Sequence, residues 1–181
     1  IFPDWIRRKG YEHCFSCNKI YRADLFNFIR FPEGEVFEDT YITPTLFESA
    51  YNVFYSDCGF YYYYKNEGSI STSYSFKSQY FLYKNTVSLY DKVNDTYKMR
   101  DEAKDILLNS LDRLTDLHRC SDGKKEEYAR ARRMLKDRKI STKELFNMHI
   151  PTARKIKFII YALFGTKAHC CLFAMLKKKL C

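Results

Sequence analysis

Apolar residues in the second half of the chain recur at helical spacing. Over residues 97–119, Met99, Ala103, Ile106, Leu107, Leu111, Leu114 and Leu117 fall on one stripe with charged residues opposite, which predicts an amphipathic helix. Residues 76–92 carry Phe76, Tyr80, Tyr83, Val87 and Tyr90 at the same interval and predict another. "CSDGKK" then reads as a turn, and a basic helix is predicted over 124–138. Ser141-Thr142-Lys143-Glu144 is a capping box, which opens a short helix, and Pro151 opens the last one.

The first half has a different pattern. "HCFSCNKIYR" (13–22) is dense in apolar and aromatic residues and predicts a strand; "ADLFNFIRF" predicts a short helix and turn, followed by a loop at Pro32 and Gly34. From Glu38 the apolar positions Ile42, Leu46 and Ala50 are helical, with Pro44 expected to kink the helix or restart it from Thr43. Residues 52–66, rich in aromatics and including Tyr61 to Tyr64, predict strand, turn and strand. The expected class is α+β, mostly α-helical, with a few-stranded sheet in residues 1–75 and a helical, basic extension in 76–181.

Charge changes this picture only in the second half. The net charge is +9, yet residues 1–118 hold 14 Lys and Arg against 17 Asp and Glu, while 119–181 hold 17 against 5. Such a basic region predicts an anionic membrane surface as neighbour, or a solvated helix face with no partner. Arg130, Arg132, Arg133, Lys136, Arg138 and Lys139 carry the docking reading within 124–157. Nucleic acid is disfavoured, because Tyr128 is the lone stacking aromatic near them. The apolar run Phe158 to Gly165 has eight residues, against roughly 20 for a bilayer span, so the last helix is expected to lie in an interface or pack on its neighbours.

Seven cysteines, without a signal peptide, predict reduced thiols and a cytoplasmic location, peripheral at the inner membrane face where the basic residues dock. Cys14 and Cys17 have zinc-knuckle spacing, but no second pair completes a tetrahedral set, so buried strand cysteines are expected and no metal. By their own chemistry Glu38 and Asp39 are acids at a helix start, and nothing local makes either catalytic.

Five short pieces, in order, add a further reading. They are Asn18-Lys19-Ile20-Tyr21-Arg22, Arg30-Phe31-Pro32-Glu33-Gly34, Phe37-Glu38-Asp39-Thr40, Tyr62-Tyr63-Tyr64-Lys65 and Gly68-Ser69-Ile70-Ser71. Order and spacing resemble family 2 glycosyltransferases, the inverting GT-A enzymes of bacterial surface polysaccharide synthesis. The resemblance spans under a third of the chain and implies a partial GT-A sheet. It implies that Asp39 is the general base for an acceptor hydroxyl, that Glu38 positions base or acceptor, and that Tyr63, Lys65 and Ser69 bind substrate. A carboxylate in a first helical turn is expected to be held ionised by the helix dipole and free amides, as a base must be.

Lys65 departs from the family's usual arginine and offers a point charge in place of a bidentate contact. Cys17 stands where an aromatic is common. The family's nucleotide-binding half, with its Asp-x-Asp motif for Mg or Mn, has no counterpart in these residues. The expectations are therefore a partner in that absent half, no cofactor in this chain, no turnover by this chain alone, and self-association through uncovered sheet edges. The donor, the acceptor and the linkage are not specified by these residues.

Overall fold

In the computed structural model, residues 1–59, 61–64, 66, 69, 74–138, 140–148 and 150–178 are described. The chain forms two compact units, residues 1–73 and 74–181. No β-strand occurs among the described residues. The expected α+β class, with its partial GT-A sheet, is therefore wrong: the described fold is helical.

The reason lies in what a strand requires. Its amides and carbonyls need a partner's ladder, and among the described residues none is offered to residues 13–22, 52–59 or 61–64. Residues 13–22 fold instead around a 3₁₀ turn, Ser16–Asn18. Residues 51–59 and 61–64 are extended or bent and exposed, with Phe54 93% and Tyr55 92% accessible. With no sheet edge in the described residues, association through such edges loses its basis.

The first unit is built on α1 (Phe2–Arg7) and α2 (Glu38–Ser49), joined by 3₁₀ turns at Gly10–Glu12, Ser16–Asn18 and Ala23–Asn27. Phe2, Trp5 and Ile6 of α1 and Ile42 and Leu46 of α2 are among its buried apolar side chains. Trp5 stacks on Phe47 with ring centres 4.8 Å apart. Gly10 lies under the same indole: a Cβ there would meet Trp5 Nε1 at 2.0 Å, so only glycine lets the chain pass. Pro44 sits inside α2 without breaking it, and Thr43 is buried rather than capping a new helix. Its hydroxyl donates to the carbonyl of Cys14 at 2.9 Å, fixing the 13–22 segment on α2.

The second unit contains α3 (Phe76–Asp91), a π-turn (Lys92–Thr96), α4 (Arg100–Arg119), α5 (Lys125–Met134), α6 (Thr142–Asn147) and α7 (Thr152–Lys178). α4 lies at the centre, packed by α3 and α7. Its residues Leu107, Leu111, Leu114 and Leu117 join Tyr83, Val87, Leu135, Leu145 and Phe158 in one apolar core. Capping boxes set two helix starts, Ser75 with Ser78 for α3 and Ser141 with Glu144 for α6. The end of α5 is held from outside: the Tyr83 hydroxyl donates to Ala131 O at 2.8 Å, and that of Tyr161 lies 3.2 Å from Leu135 O and 3.1 Å from Arg138 O. Leu135 O also accepts the Arg138 amide at 3.2 Å, so the two hydroxyls add to the turn that closes α5.

α7 packs through Phe158, Tyr161, His169 and Cys170, all buried. No helix among the described residues is long and apolar enough to cross a membrane. His169 is 1% exposed, between Tyr161 and Phe173, and burial pushes its pKa down from 6.5 to about 4, with Asp112 opposing and Lys157 reinforcing. The unfolded chain takes up a proton near pH 6.5 that the folded chain refuses until about pH 4. Stability is therefore present above pH 6.5 and lost as pH falls toward 4, by up to about 3 kcal/mol. Urea unfolding followed by far-ultraviolet circular dichroism should show that loss between pH 7 and 4, and His169→Leu should flatten it.

Candidate functional site

Glu38 and Asp39 open α2, and the backbone before them is strained. Phe37 precedes the helix in the left-handed region (φ 57°, ψ 37°), a conformation costing a bulky side chain roughly 1–2 kcal/mol. Phe37 O accepts from both the amide and the hydroxyl of Thr40, at 3.1 and 2.7 Å, and these bonds lock the bend. The helix consequently starts at Glu38, with both carboxylates in its first turn and both half-buried.

Asp39 Oδ1 accepts the Thr40 amide at 2.8 Å. Among the described residues no cation pairs directly with it. Lys19 is near enough to favour its charge, but the Lys19 ammonium is occupied: it donates to His13 O, Phe15 O and Asn18 Oδ1 at 2.9, 2.7 and 2.7 Å. Burial is the largest influence on Asp39 and pushes its pKa above the ordinary 3.8; the charge of Glu38 pushes the same way, and the Thr40 amide and Lys19 oppose without prevailing. The sequence leads one to expect helix dipole and amides to hold this carboxyl ionised; burial acts against them and raises its pKa.

Around Asp39 stand groups from the 13–22 segment, brought there by the Thr43–Cys14 bond. Cys14 is buried, and its thiol is pushed up to about 12, first by burial and then by the charge of Asp39. It is therefore a packed thiol and not a nucleophile. Cys17 is half-buried; it lies within the 3₁₀ turn Ser16–Asn18 and Cys14 just before it, neither in a strand. Burial raises the Tyr21 phenol and lowers the Lys19 ammonium, the latter against the pull of Cys14 and Asp39. Asn18-Lys19-Ile20-Tyr21-Arg22 and Phe37-Glu38-Asp39-Thr40, separate in sequence, thus meet at one place. Lys19 and Tyr21 had only the motif as a signal and were not singled out as site residues.

The remaining positions are dispersed. Tyr63 belongs to the exposed run Tyr61 to Tyr64, and Ser69 is half-buried with its amide donating to Asn66 O at 3.3 Å. Lys65 lies outside the described residues, as does Lys139. In the second unit Arg130, Arg133 and Lys136 are exposed and Arg132 is half-buried against the Tyr128 ring. Arg138 is turned inward, donating through Nε and Nη2 to both oxygens of Asp91 at 2.7 and 2.5 Å. It ties the end of α3 to the segment after α5, so the basic residues do not form one free face.

No group of three or more His, Cys, Asp or Glu side chains among the described residues could hold a metal ion. No family model matches this chain, and no curated protein or solved structure does either.

Asp39 carries its own pH test. Between pH 3.8 and its raised pKa the folded chain holds a proton that the unfolded chain has released, so stability falls as pH rises through that window. Asp39→Asn removes the charge from this half-buried place. At pH 7 it should raise the unfolding free energy by no more than about 1 kcal/mol for a group still partly solvated, and near pH 3 the gain should vanish. Fluorescence of Trp5, the only tryptophan, reports the unit that contains Asp39.

Proposed function

We propose that residues 1–73 are the acceptor side of an inverting family 2 glycosyltransferase, with Asp39 as its general base. The observation that carries the reading is the half-buried Asp39 carboxylate at a strained helix start, with no direct cationic partner and a raised pKa. A base needs its lone pair free and a pKa drawn toward the working pH; a carboxylate locked to arginine has neither. The ordered motif pieces from Asn18 to Ser71 supply the family, and two of them converge on this carboxylate.

In the proposed step, Asp39 takes the proton of an acceptor hydroxyl as that oxygen forms a bond to the anomeric carbon of the donor sugar. The bond from that carbon to the nucleotide diphosphate breaks on the opposite face, and its electron pair leaves with the phosphate. Glu38 raises the basicity of Asp39 through its own charge. Tyr63 and Ser69, with Lys65, are proposed substrate contacts. The family's divalent metal, which would stabilise the leaving diphosphate, finds no ligand set among the described residues, and no step here passes through it.

The nucleotide-binding half is the proposed partner, and the exposed aromatics Phe54, Tyr55 and Tyr61 to Tyr64 are a surface it can cover. The test is sugar transfer from a UDP-sugar by a longer gene product that includes residues encoded upstream. It is run beside the 181-residue chain and an Asp39→Asn version of the long form. Expected are turnover by the long form, a loss of at least about a hundredfold in the Asn version, and none by the short chain. Equal turnover by the long form and its Asn version would refute Asp39 as the base.

A further inference from the structure

The basic residues of the second unit divide by what neutralises them. Lys157 pairs with Asp112 at 2.8 Å, Arg154 with Asp105 at 3.3 Å, Arg138 with Asp91, and Lys104 with Asp101 and Glu144. Arg132, Arg133 and Lys136 differ: among the described residues no carboxylate pairs with any of them. These three share one place. Together with Ile140, Tyr161 and Gly165 they line a cleft of about 470 Å³ between the end of α5 and the middle of α7, and no acidic side chain is among its described lining residues.

The C-terminal dipole of α5 accounts for only part of this charge. A helix end carries about half a negative charge, whereas three cations converge here. Burial of aliphatic stems does not explain it either, since Arg133 and Lys136 are exposed. Arg132 is held over the Tyr128 ring, 5.9 Å from its centre, and its buried Nε has no hydrogen-bond partner. The guanidinium is thus restrained in position while its charge remains uncompensated.

The opposite wall is a break in α7. Gly165 has φ 76° and ψ 176°, a region that in practice only glycine occupies, and a Cβ there would meet nothing within 4 Å. Conformation, not space, therefore requires glycine. Past the break the helical arm restarts, and the first amides of a helix lack intrahelical acceptors. Two arginines on the α5 wall can each grip a phosphate through two N–H groups. The volume falls within the range of ligand clefts, roughly 300–1,000 Å³. The Tyr161 hydroxyl is engaged with Leu135 O and Arg138 O, so its ring and not its oxygen faces a ligand.

We propose that this cleft is a binding site for a phosphate-bearing anion carrying two or more negative charges, gripped by Arg132, Arg133 and Lys136. The inference is independent of the proposed role of Asp39. That chemistry has two sources, a soluble diphosphate or the phosphate monoester headgroup of a membrane lipid, and the experiment separates them.

The full chain is titrated calorimetrically with inorganic pyrophosphate at fixed ionic strength. It is also sedimented with phosphatidylcholine vesicles carrying either phosphatidic acid or phosphatidylserine. Arg133→Gln/Lys136→Gln is compared with Arg130→Gln, which removes an exposed charge on the same helix outside the cleft. Expected is saturable binding that the double variant weakens by at least about tenfold and Arg130→Gln by no more than about twofold. Saturation with pyrophosphate assigns a soluble ligand; preference for phosphatidic acid over phosphatidylserine without it assigns a headgroup. If the double variant loses helix content, Arg133→Gln alone makes the comparison. Absence of both kinds of binding would overturn the proposal, as would equal weakening by Arg130→Gln, which marks diffuse charge.

Discussion

A carboxylate or cation withdrawn from water must be matched by an opposite charge or hydrogen bonds, or its ionisation shifts, and this chain uses each outcome in a different place. Along α4, Asp105 and Asp112 lie seven residues apart on the face toward α7. Arg154 and Lys157, three apart, meet them there. Arg154 also bonds Asn109, which lies between the two acids. Because Asp105 is buried, removing Arg154 would take away a cationic partner there, which costs more than the modest net worth of the pair. His169, packed between rings on the same helix, meets the constraint by staying neutral.

Asp39 is the exception that gives the first unit its chemical interest. Lys19, the cation nearest in influence, is committed to two backbone carbonyls and an asparagine, and it braces the 13–19 turn. The bend at Phe37 fixes where the helix begins and hence where the carboxylate stands. Strain, partial desolvation and an occupied counter-charge together reduce stability at one residue. Such a combination is expected where a group must accept a proton and is hard to account for as packing. The cleft beside α5 has the converse imbalance, cations without acids, and calls for an anion from outside.

Much of the helical half was legible because helices are local. The stripe from Ala103 to Leu117 and the capping boxes at Ser75 and Ser141 depend on residues three and four apart, and only the first of these boxes went unnoticed in the sequence. Residues 13–22 and 52–66 were misread for the opposite reason: β-branched and aromatic residues favour a strand only where a partner strand exists. Of the two outcomes expected at Pro44, a kink or a restart from Thr43, the restart does not occur: α2 runs through it, with Pro44, Thr43 and Leu46 buried. At the site, the sequence located the acids but not their solvation, which depends on how the 13–22 segment, distant in sequence, is tied to α2. Arg138 resembled its basic neighbours until its partner, Asp91, was seen across the fold. Gly165 looked like one more small residue in an apolar run, and only its backbone angles disclose the break.

Burial is the largest influence on the ionisation of Asp39. The most direct test of this is the titration of the Asp39 side-chain carboxyl carbon by nuclear magnetic resonance in the 181-residue chain, assigned by comparison with Asp39→Asn. A midpoint above the ordinary 3.8 of an aspartate is expected. A midpoint at or below that value would mean that the amides and Lys19 prevail, and that Glu38 and Asp39 are no more than the acidic start of a helix.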